Sequence, residues 1–566
     1  MQLQIQHYIL GIVTLFSTLI TTAQCDTSRY IHPIFDSLII HNDVKYGEAQ
    51  VWYFPYSNTD LFMDIFEPED DSLTKRPLMI WVHPGGFLAG DKTAEDMVAL
   101  CDSFARRGYV TATISYRLGF NPLSEASAER AVYRGVQDAR AAIRYLKEHH
   151  LDYGIDTNHT FIGGSSAGGF SALHTAYLDQ QEAPNAIDGT LTTPNLGCLD
   201  CSGNNFQHLM DLNGIVNLWG AIGDSSWIDV NETEPALLIH GTDDGVVPYG
   251  VGHPFGVFTT PLVHGSRAVS NQMQTIDLDH QFITFLGADH EPHGTSNGTF
   301  EDPPNAYWDT IFESVRDFYF DLLQPSNDPL NGPTEVCIDD TVNFSVNIPQ
   351  NHHVCWETNG TVINETTNSI SIVWESSGMA SLSYVQYSEV DAASQSINST
   401  IQLLEKPSAS FDYTSSEGTF NFTPEEFGNT NYIWDFGDGN SASNFSPEHT
   451  FQNAGVYEVS LTVVASNGCS QTQTETIDLS TLAIQNPVFT DLKVFPNPSE
   501  NHITIDGMNE LFDIRVITLN GKEMMNYNDN FGSTVLDLQS LEKGTYFLHV
   551  KIASSSEEKV LRIVKM

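Results

Sequence analysis

Between residues 30 and 323, short apolar runs alternate with stretches whose apolar residues recur every three or four positions. That alternation predicts strands separated by helices. Leu78-Met-Ile-Trp-Val82 is an unbroken apolar run, the pattern of a strand buried on both faces. Met97, Leu100, Cys101, Phe104 and Ala105 then fall on one face of a helix that Gly108 ends. Tyr109–Ile114 reads as the next strand, and Val136, Ala139, Ala142, Ile143 and Leu146 mark another amphipathic helix. Further strands are expected over Thr160–Gly163, Ala236–His240 and Phe282–Leu286. A helix carrying Trp308, Ile311, Phe312, Val315 and Phe318 closes the segment. This order predicts an α/β fold with a doubly wound, mostly parallel sheet.

Beyond residue 323 the texture changes. Residues 324–333, Gln-Pro-Ser-Asn-Asp-Pro-Leu-Asn-Gly-Pro, have the composition of a linker. Helical periodicity then stops. Short alternating Thr, Val, Ile and Ser runs broken by Asn and Gly predict β-sandwich modules over 334–405, 406–480 and 487–566.

Charge narrows the partners. The chain of 566 residues has 72 Asp and Glu against 24 Lys and Arg, a formal charge of −48, which makes nucleic acid or an anionic membrane a poor partner. The apolar run from Ile9 to Ile20 is too short to span a bilayer. With Thr21 and Ala23 after it, residues 1–23 read as a secretory signal, although the leading segment has no Lys or Arg. No other stretch is apolar and long enough for a membrane helix. Seven cysteines in an exported chain invite disulfides. Cys198 and Cys201 form one C-x-x-C, better read as a local disulfide than as half a zinc site, because no second pair or histidine cluster accompanies it. Cys101, on a helical pattern, is expected to be a buried thiol. No metal site and no cofactor are expected.

The chemistry concentrates in four motifs. Gly164-Ser165-Ser166-Ala167-Gly168 lies between a strand and a helix, where a sharp turn can hold a serine hydroxyl above the sheet edge; Ser166 is the candidate nucleophile and Ser165 should point away. His83-Pro84-Gly85-Gly86-Phe87 follows the Leu78–Val82 strand. Bare backbone amides at Gly85 and Gly86, with that of Ala167, can stabilise an oxyanion, each worth on the order of 3 kcal/mol of barrier. His83 is expected to brace this loop. His240-Gly-Thr-Asp-Asp-Gly-Val-Val-Pro248 offers Asp243 and Asp244 as the acid that orients a catalytic histidine, and Asp244 is favoured. The base should come last, and Gly287-Ala-Asp-His-Glu-Pro-His293 offers His290 ahead of His293.

Together with Ser115-Tyr-Arg-Leu-Gly119, these motifs resemble the α/β-hydrolase esterases, in particular the carboxylesterase, hormone-sensitive-lipase-like and feruloyl/acetyl-xylan-esterase groups, over about 50–323. The resemblance implies a Ser166–Asp244–His290 triad, Gly85, Gly86 and Ala167 as oxyanion donors, and ester hydrolysis without a cofactor. Pro84 departs from the glycine common in such loops. The stretch of about 180–234 around the C-x-x-C is expected as a lid or cap. Tyr432-Ile-Trp-Asp-Phe-Gly-Asp-Gly439, His449-Thr-Phe451 and Gly455–Leu461 resemble a PKD domain with Trp434 and Tyr457 in its core and Asp435 and Asp438 as turn residues rather than calcium ligands. The module with Cys337, Cys355 and Trp356 is generically immunoglobulin-like. Val494-Phe-Pro-Asn-Pro-Ser499, Gly521-Lys522, Leu541–Tyr546 and the basic end Lys559–Lys565 resemble a type IX secretion C-terminal sorting domain, which implies that machinery as a partner and a secreted or surface location. The expected function is secreted serine esterase, with an acylated polysaccharide or polyester as substrate. A serine peptidase on the same fold, or a surface adhesion or carbohydrate-binding protein with an inactive hydrolase domain, are the alternatives.

Overall fold

The computed structural model describes residues 25–566 except 295, 296, 300–302, 417, 430, 481–488, 490, 555 and 556. The expected signal segment 1–23 lies outside the described residues. The chain divides into two compact units, 1–405 and 406–566.

In the first unit, eight strands form one sheet: β1 (Leu38–Gln50), β2 (Asn58–Pro68), β3 (Arg76–Val82), β4 (Val110–Ile114), β5 (Ile155–Ser165), β6 (Gly214–Leu218), β7 (Ala236–Gly241) and β8 (His280–Phe285). Their order is β1-β2-β4-β3-β5-β6-β7-β8. The β1–β2 and β2–β4 pairs are antiparallel, and every pair from β4 to β8 is parallel. Parallel strands need crossovers and so have helices on both faces. Accordingly every residue of β3, β4, β6 and β7 is buried. Five helices matter here: α1 (Glu95–Ala105), α2 (Glu125–Glu148), α3 (Ala167–Tyr177), α4 (Ser266–Ile276) and α5 (Ala306–Leu323). One apolar cluster, with Ile80, Ile143, Leu146 and Leu173, fills one face of the sheet. A second, with Trp81, Phe104, Phe161 and Tyr319, fills the other.

Helix α2 starts with Ser124 as its cap, the hydroxyl accepting from Ser127 N at 3.3 Å. Its apolar face meets the sheet, and its cationic face is also largely covered. Arg130 donates to the carbonyls of Ala186 and Pro194. Gln137 donates to those of Leu196 and Cys198, Arg144 to Asp200 and the Ser202 carbonyl, and Lys147 to the carbonyls of Leu209 and Asp211. The expected lid over 180–234 is therefore corrected. Residues 186–211 are strapped along α2, because their backbone carbonyls satisfy its cations, and 214–218 is the buried strand β6 next to β5. Only the two ends of the segment, Glu182 and Pro184 at its start and Gly223 and Trp227 after β6, reach the cleft above the sheet. Cys198 and Cys201 form the local disulfide, and Cys101 is a buried thiol.

The module over 334–405 is a sandwich of two four-stranded sheets around Phe344, Trp356, Trp374 and Tyr384. Leu330–Asn331, inside the expected linker, adds an edge strand against Ser345–Val346. The module is joined to the hydrolase-like domain by a Cys25–Cys355 disulfide and by a tight turn at 388–392. Val390 and Ala392 of that turn are fully buried in the second apolar cluster, and Tyr30 Oη donates to the Val390 carbonyl at 2.6 Å.

The second unit contains two further sandwiches. In the first, Trp434 is fully buried among Phe411, Phe422 and Phe436, and Tyr457 lies half-buried against Phe451. Asp435 accepts from Gly437 N, and Asp438 accepts from Asn440 N and pairs with His449. Both are turn residues. The last module packs Ile503, Ile514, Leu536 and Leu548 between a three-stranded and a four-stranded sheet.

Candidate active site

Strand β5 ends at Ser165, and helix α3 begins at Ala167. Ser166 between them has φ 54° and ψ −116°. A serine in this left-handed region is strained, and surrounding contacts must hold it there. Ser166 N donates to the Leu218 carbonyl at 2.9 Å. A Cβ on Gly164 would strike the backbone of Gly168, and one on Gly168 would strike the carbonyl of Val82. Only glycine lets the turn close this tightly. Ser165 points away, its buried hydroxyl accepting from Trp219 Nε1 at 3.0 Å.

His290 arrives from the loop after β8. Its Nε2 lies 2.9 Å from Ser166 Oγ, and its Nδ1 lies 2.7 Å from Asp244 Oδ2. Asp244 follows β7, and its side chain has no exposed surface. Its Oδ1 accepts from Val246 N and Val247 N, both at 2.8 Å. His240 Nε2 is 3.2 Å from the same Oδ2 that His290 uses. Burial alone would raise the Asp244 carboxyl. The hydrogen bonds from His240 and His290 outweigh it and hold the group well below the usual carboxylate range. Asp243 is exposed and ties loops together, its amide donating to Ala288 O and its Oδ1 accepting from Thr242 Oγ1. His293 is buried and stacks on Trp219 at 5.1 Å, with Nε2 3.5 Å from Asp96, so it braces the loop that carries His290.

Gly85, Gly86 and Phe87 all have positive φ. The Gly85 carbonyl accepts from Leu88 N and Ala89 N, which closes the turn, and Gly86 and Ala167 line a cleft beside Ser166. His83 lies beneath this turn. Its Nδ1 is 2.6 Å from Pro84 O, its ring stacks on Tyr116, and burial pushes its imidazole down to about 4. Arg117 of the Ser115–Gly119 motif holds buried Asp138 of α2 at 2.7 Å.

The cleft holds about 290 Å³. Its walls are mainly apolar, with Phe120, Val132, Phe170, Trp227, Phe255 and Leu262 prominent. His240 and Trp219 have roles that the motif reading missed. His240 opens the very motif that supplied Asp244, so its polarity at the end of a buried strand was the available signal. Nothing in the sequence marked Trp219.

A strained serine after the central strand, in line with an imidazole and a buried carboxylate, on a sheet ordered in this way, defines an α/β-hydrolase domain. Residues 63–226 match the BD-FAE family model, 406–479 the PKD domain and 493–565 the secretion system C-terminal sorting domain. The sorting-domain match marks the chain as exported, secreted or held at the cell surface. Among the described residues no helix is long and apolar enough to cross a membrane.

Individual relatives extend the likeness to carboxylesterases. Carboxylesterase 3B of Mus musculus is 37% identical over 118 residues, covering 20% of each chain. Carboxylesterase 3 of Homo sapiens is 34% identical over 156 residues, covering 26% of each. Gut esterase 1 of Caenorhabditis briggsae is 33% identical over 118 residues, 20% of this chain and 21% of its own. The chain thus spans between a fifth and about a quarter of these curated relatives' length. Among solved structures, Thermogutta terrifontis esterase 2 phosphonylated by cyclosarin is 20% identical, covering 50% of this chain and 93% of its own with a TM-score of 0.34.

Proposed function

We propose that this protein is a secreted serine carboxylic-ester hydrolase. The observation that carries the reading is the continuous chain from Ser166 Oγ through His290 to Asp244, with links of 2.9 and 2.7 Å. In the proposed reaction His290 Nε2 takes the proton as Ser166 Oγ attacks the ester carbonyl. Asp244 fixes the tautomer of the imidazole and stabilises its charged form. The amides of the Gly85–Gly86 turn and of Ala167 receive the oxyanion. The tetrahedral intermediate collapses with loss of the alcohol, protonated by His290. Water, activated by the same histidine, then releases the acid from the serine.

The apolar cleft suits the acyl or aromatic part of an ester, and the exported modular architecture suits a polymeric substrate such as an acylated polysaccharide or polyester. We assign the sorting module to recognition by type IX secretion machinery.

A matched pair of substrates tests the class. The purified chain should hydrolyse p-nitrophenyl acetate and release acetate from acetylated xylan, while leaving the corresponding anilides and peptides intact. Faster cleavage of peptides than of esters would make it a peptidase. Failure to react with a serine-directed phosphonate would point to an inactive hydrolase domain.

A further inference from the structure

A second cluster of chemistry-bearing side chains lies at the opposite end of β5 from Ser166, roughly 30 Å along the strand. Asp156, His159 and Glu389 each present one ligand atom there, all within 4.8 Å of one another. Asp156 and His159 come from the first residues of β5. Glu389 comes from the 388–392 turn of the β-sandwich module, 230 residues later in the sequence. Asp156 is buried, its Oδ1 accepting from Asn158 N at 3.1 Å and its Oδ2 lying 2.8 Å from His159 Nδ1. Glu389 is exposed, but its backbone is fixed. The next residue, Val390, is fully buried against the hydrolase domain, and Asp391 N and Ala392 N close the turn onto Ser388.

We propose that Asp156, His159 and Glu389 bind a divalent transition cation, with zinc the best match, which clamps the sandwich module to the base of the hydrolase domain. Two carboxylates and one imidazole form a donor set that suits zinc better than calcium, which takes six to eight oxygen ligands. Zinc bonds of about 2.0–2.2 Å place tetrahedral ligand atoms about 3.4 Å apart. The three ligand atoms, within 4.8 Å of one another with the Asp156–His159 pair at 2.8 Å, need side-chain adjustments of about an ångström to reach that spacing, and water would complete the sphere. The cation takes the place of the proton between His159 and Asp156, and it offsets the repulsion between two acids that the fold holds face to face. His352 of the same module lies within electrostatic range of Glu389 and His159, and exposed Lys75 lies within range of Asp156. None of the three ligands touches the Ser166 site, so the clamp acts on domain docking and leaves the chemistry alone.

The test uses the full chain after removal of metal by chelation and titrates it with zinc, following heat release and thermal unfolding. We expect one zinc per chain and a rise in the unfolding temperature. Glu389→Gln and His159→Asn should each weaken binding by about tenfold or more and remove that rise. Circular dichroism should match the wild type, and calcium at equal concentration should not substitute. Zinc binding of unchanged affinity and stoichiometry in both variants, or no zinc bound at micromolar concentration, would overturn the proposal. Because binding is read directly, either result is independent of whether the chain hydrolyses esters.

Discussion

Asp244 holds two histidines on one carboxylate oxygen, and each has a different consequence. In the proposed reaction His290 carries the charge, while His240 is fully buried and tied to Ser266 Oγ at 2.8 Å. Asp244→Asn would keep the shape but lose the charge and favour the wrong tautomer, and kcat should fall by on the order of 10³–10⁴-fold in ester turnover. At His83 the effect is on stability. Its folded value of about 4 lies below the ordinary imidazole value of about 6.5, so the unfolded chain binds the proton first. The contribution of His83 is therefore complete above about pH 6.5 and is lost as pH falls toward 4. Urea titrations at pH 7, 5.5 and 4.5 should show a flatter decline for His83→Asn than for the wild type. Equal slopes would mean that the imidazole is already charged in the folded protein. The depressed Asp244 carboxyl has the same sign, its contribution fading only below about pH 4. At this scale much of the candidate site was legible, because Ser166, Gly86, Asp244 and His290 sit in short motifs at strand ends. The choice between His290 and His293 was not, because only two residues of loop separate them and packing on Trp219 turns one inward.

The elements that alternate most plainly in the sequence are those buried on both faces. Strands β3, β4 and β7 and helices α1 and α5 coincide with the expected runs to within a few residues, apart from the extra turn at the C-terminal end of α5. Strands β1 and β2 were missed because β1 interleaves polar residues, His41-Asn-Asp-Val-Lys45, along a largely exposed edge. Strand β6 was missed because five residues with Asn217 in their middle carry little periodicity; Asn217 is nonetheless fully buried, donating to Ser266 Oγ at 2.9 Å. Helix α2 begins at Glu125, well before its apolar positions, because its first turns bury Arg130 and Arg134 under other backbone instead of presenting an apolar face. The elbow is a tight contact between elements. Gly168→Ala would press a methyl into the Val82 carbonyl, where backbone cannot yield. It should cost about 1–3 kcal/mol in urea unfolding, and displacement of Ser166 should also lower turnover.

On the scale of the whole molecule, every residue assigned to the reaction lies in the first unit, within 1–405. Residues 25–405 alone should therefore retain the ester turnover of the longer chain, measured per mole on p-nitrophenyl acetate. The Cys25–Cys355 link closes a loop of 330 residues around the hydrolase domain. Replacing both cysteines with serine should destabilise the first unit by about 2–4 kcal/mol, read by urea unfolding under oxidising conditions. The seven cysteines announced disulfides, but a bond between the chain's first described residue and a sandwich strand was not legible, because it depends on how the module docks. Overall charge is informative in a different way. A surface at −48 favours solubility and repels polyanions, and says nothing about the neutral ester bond.

The central claim is that Ser166 breaks esters. Its most direct test is the rate of p-nitrophenyl acetate hydrolysis by the exported chain beside Ser166→Ala at the same concentration. The wild type should turn over clearly and the variant should lose at least about 10³-fold, keeping only what the oxyanion amides and binding can do. Equal rates in the two proteins, or none in either, would contradict the claim.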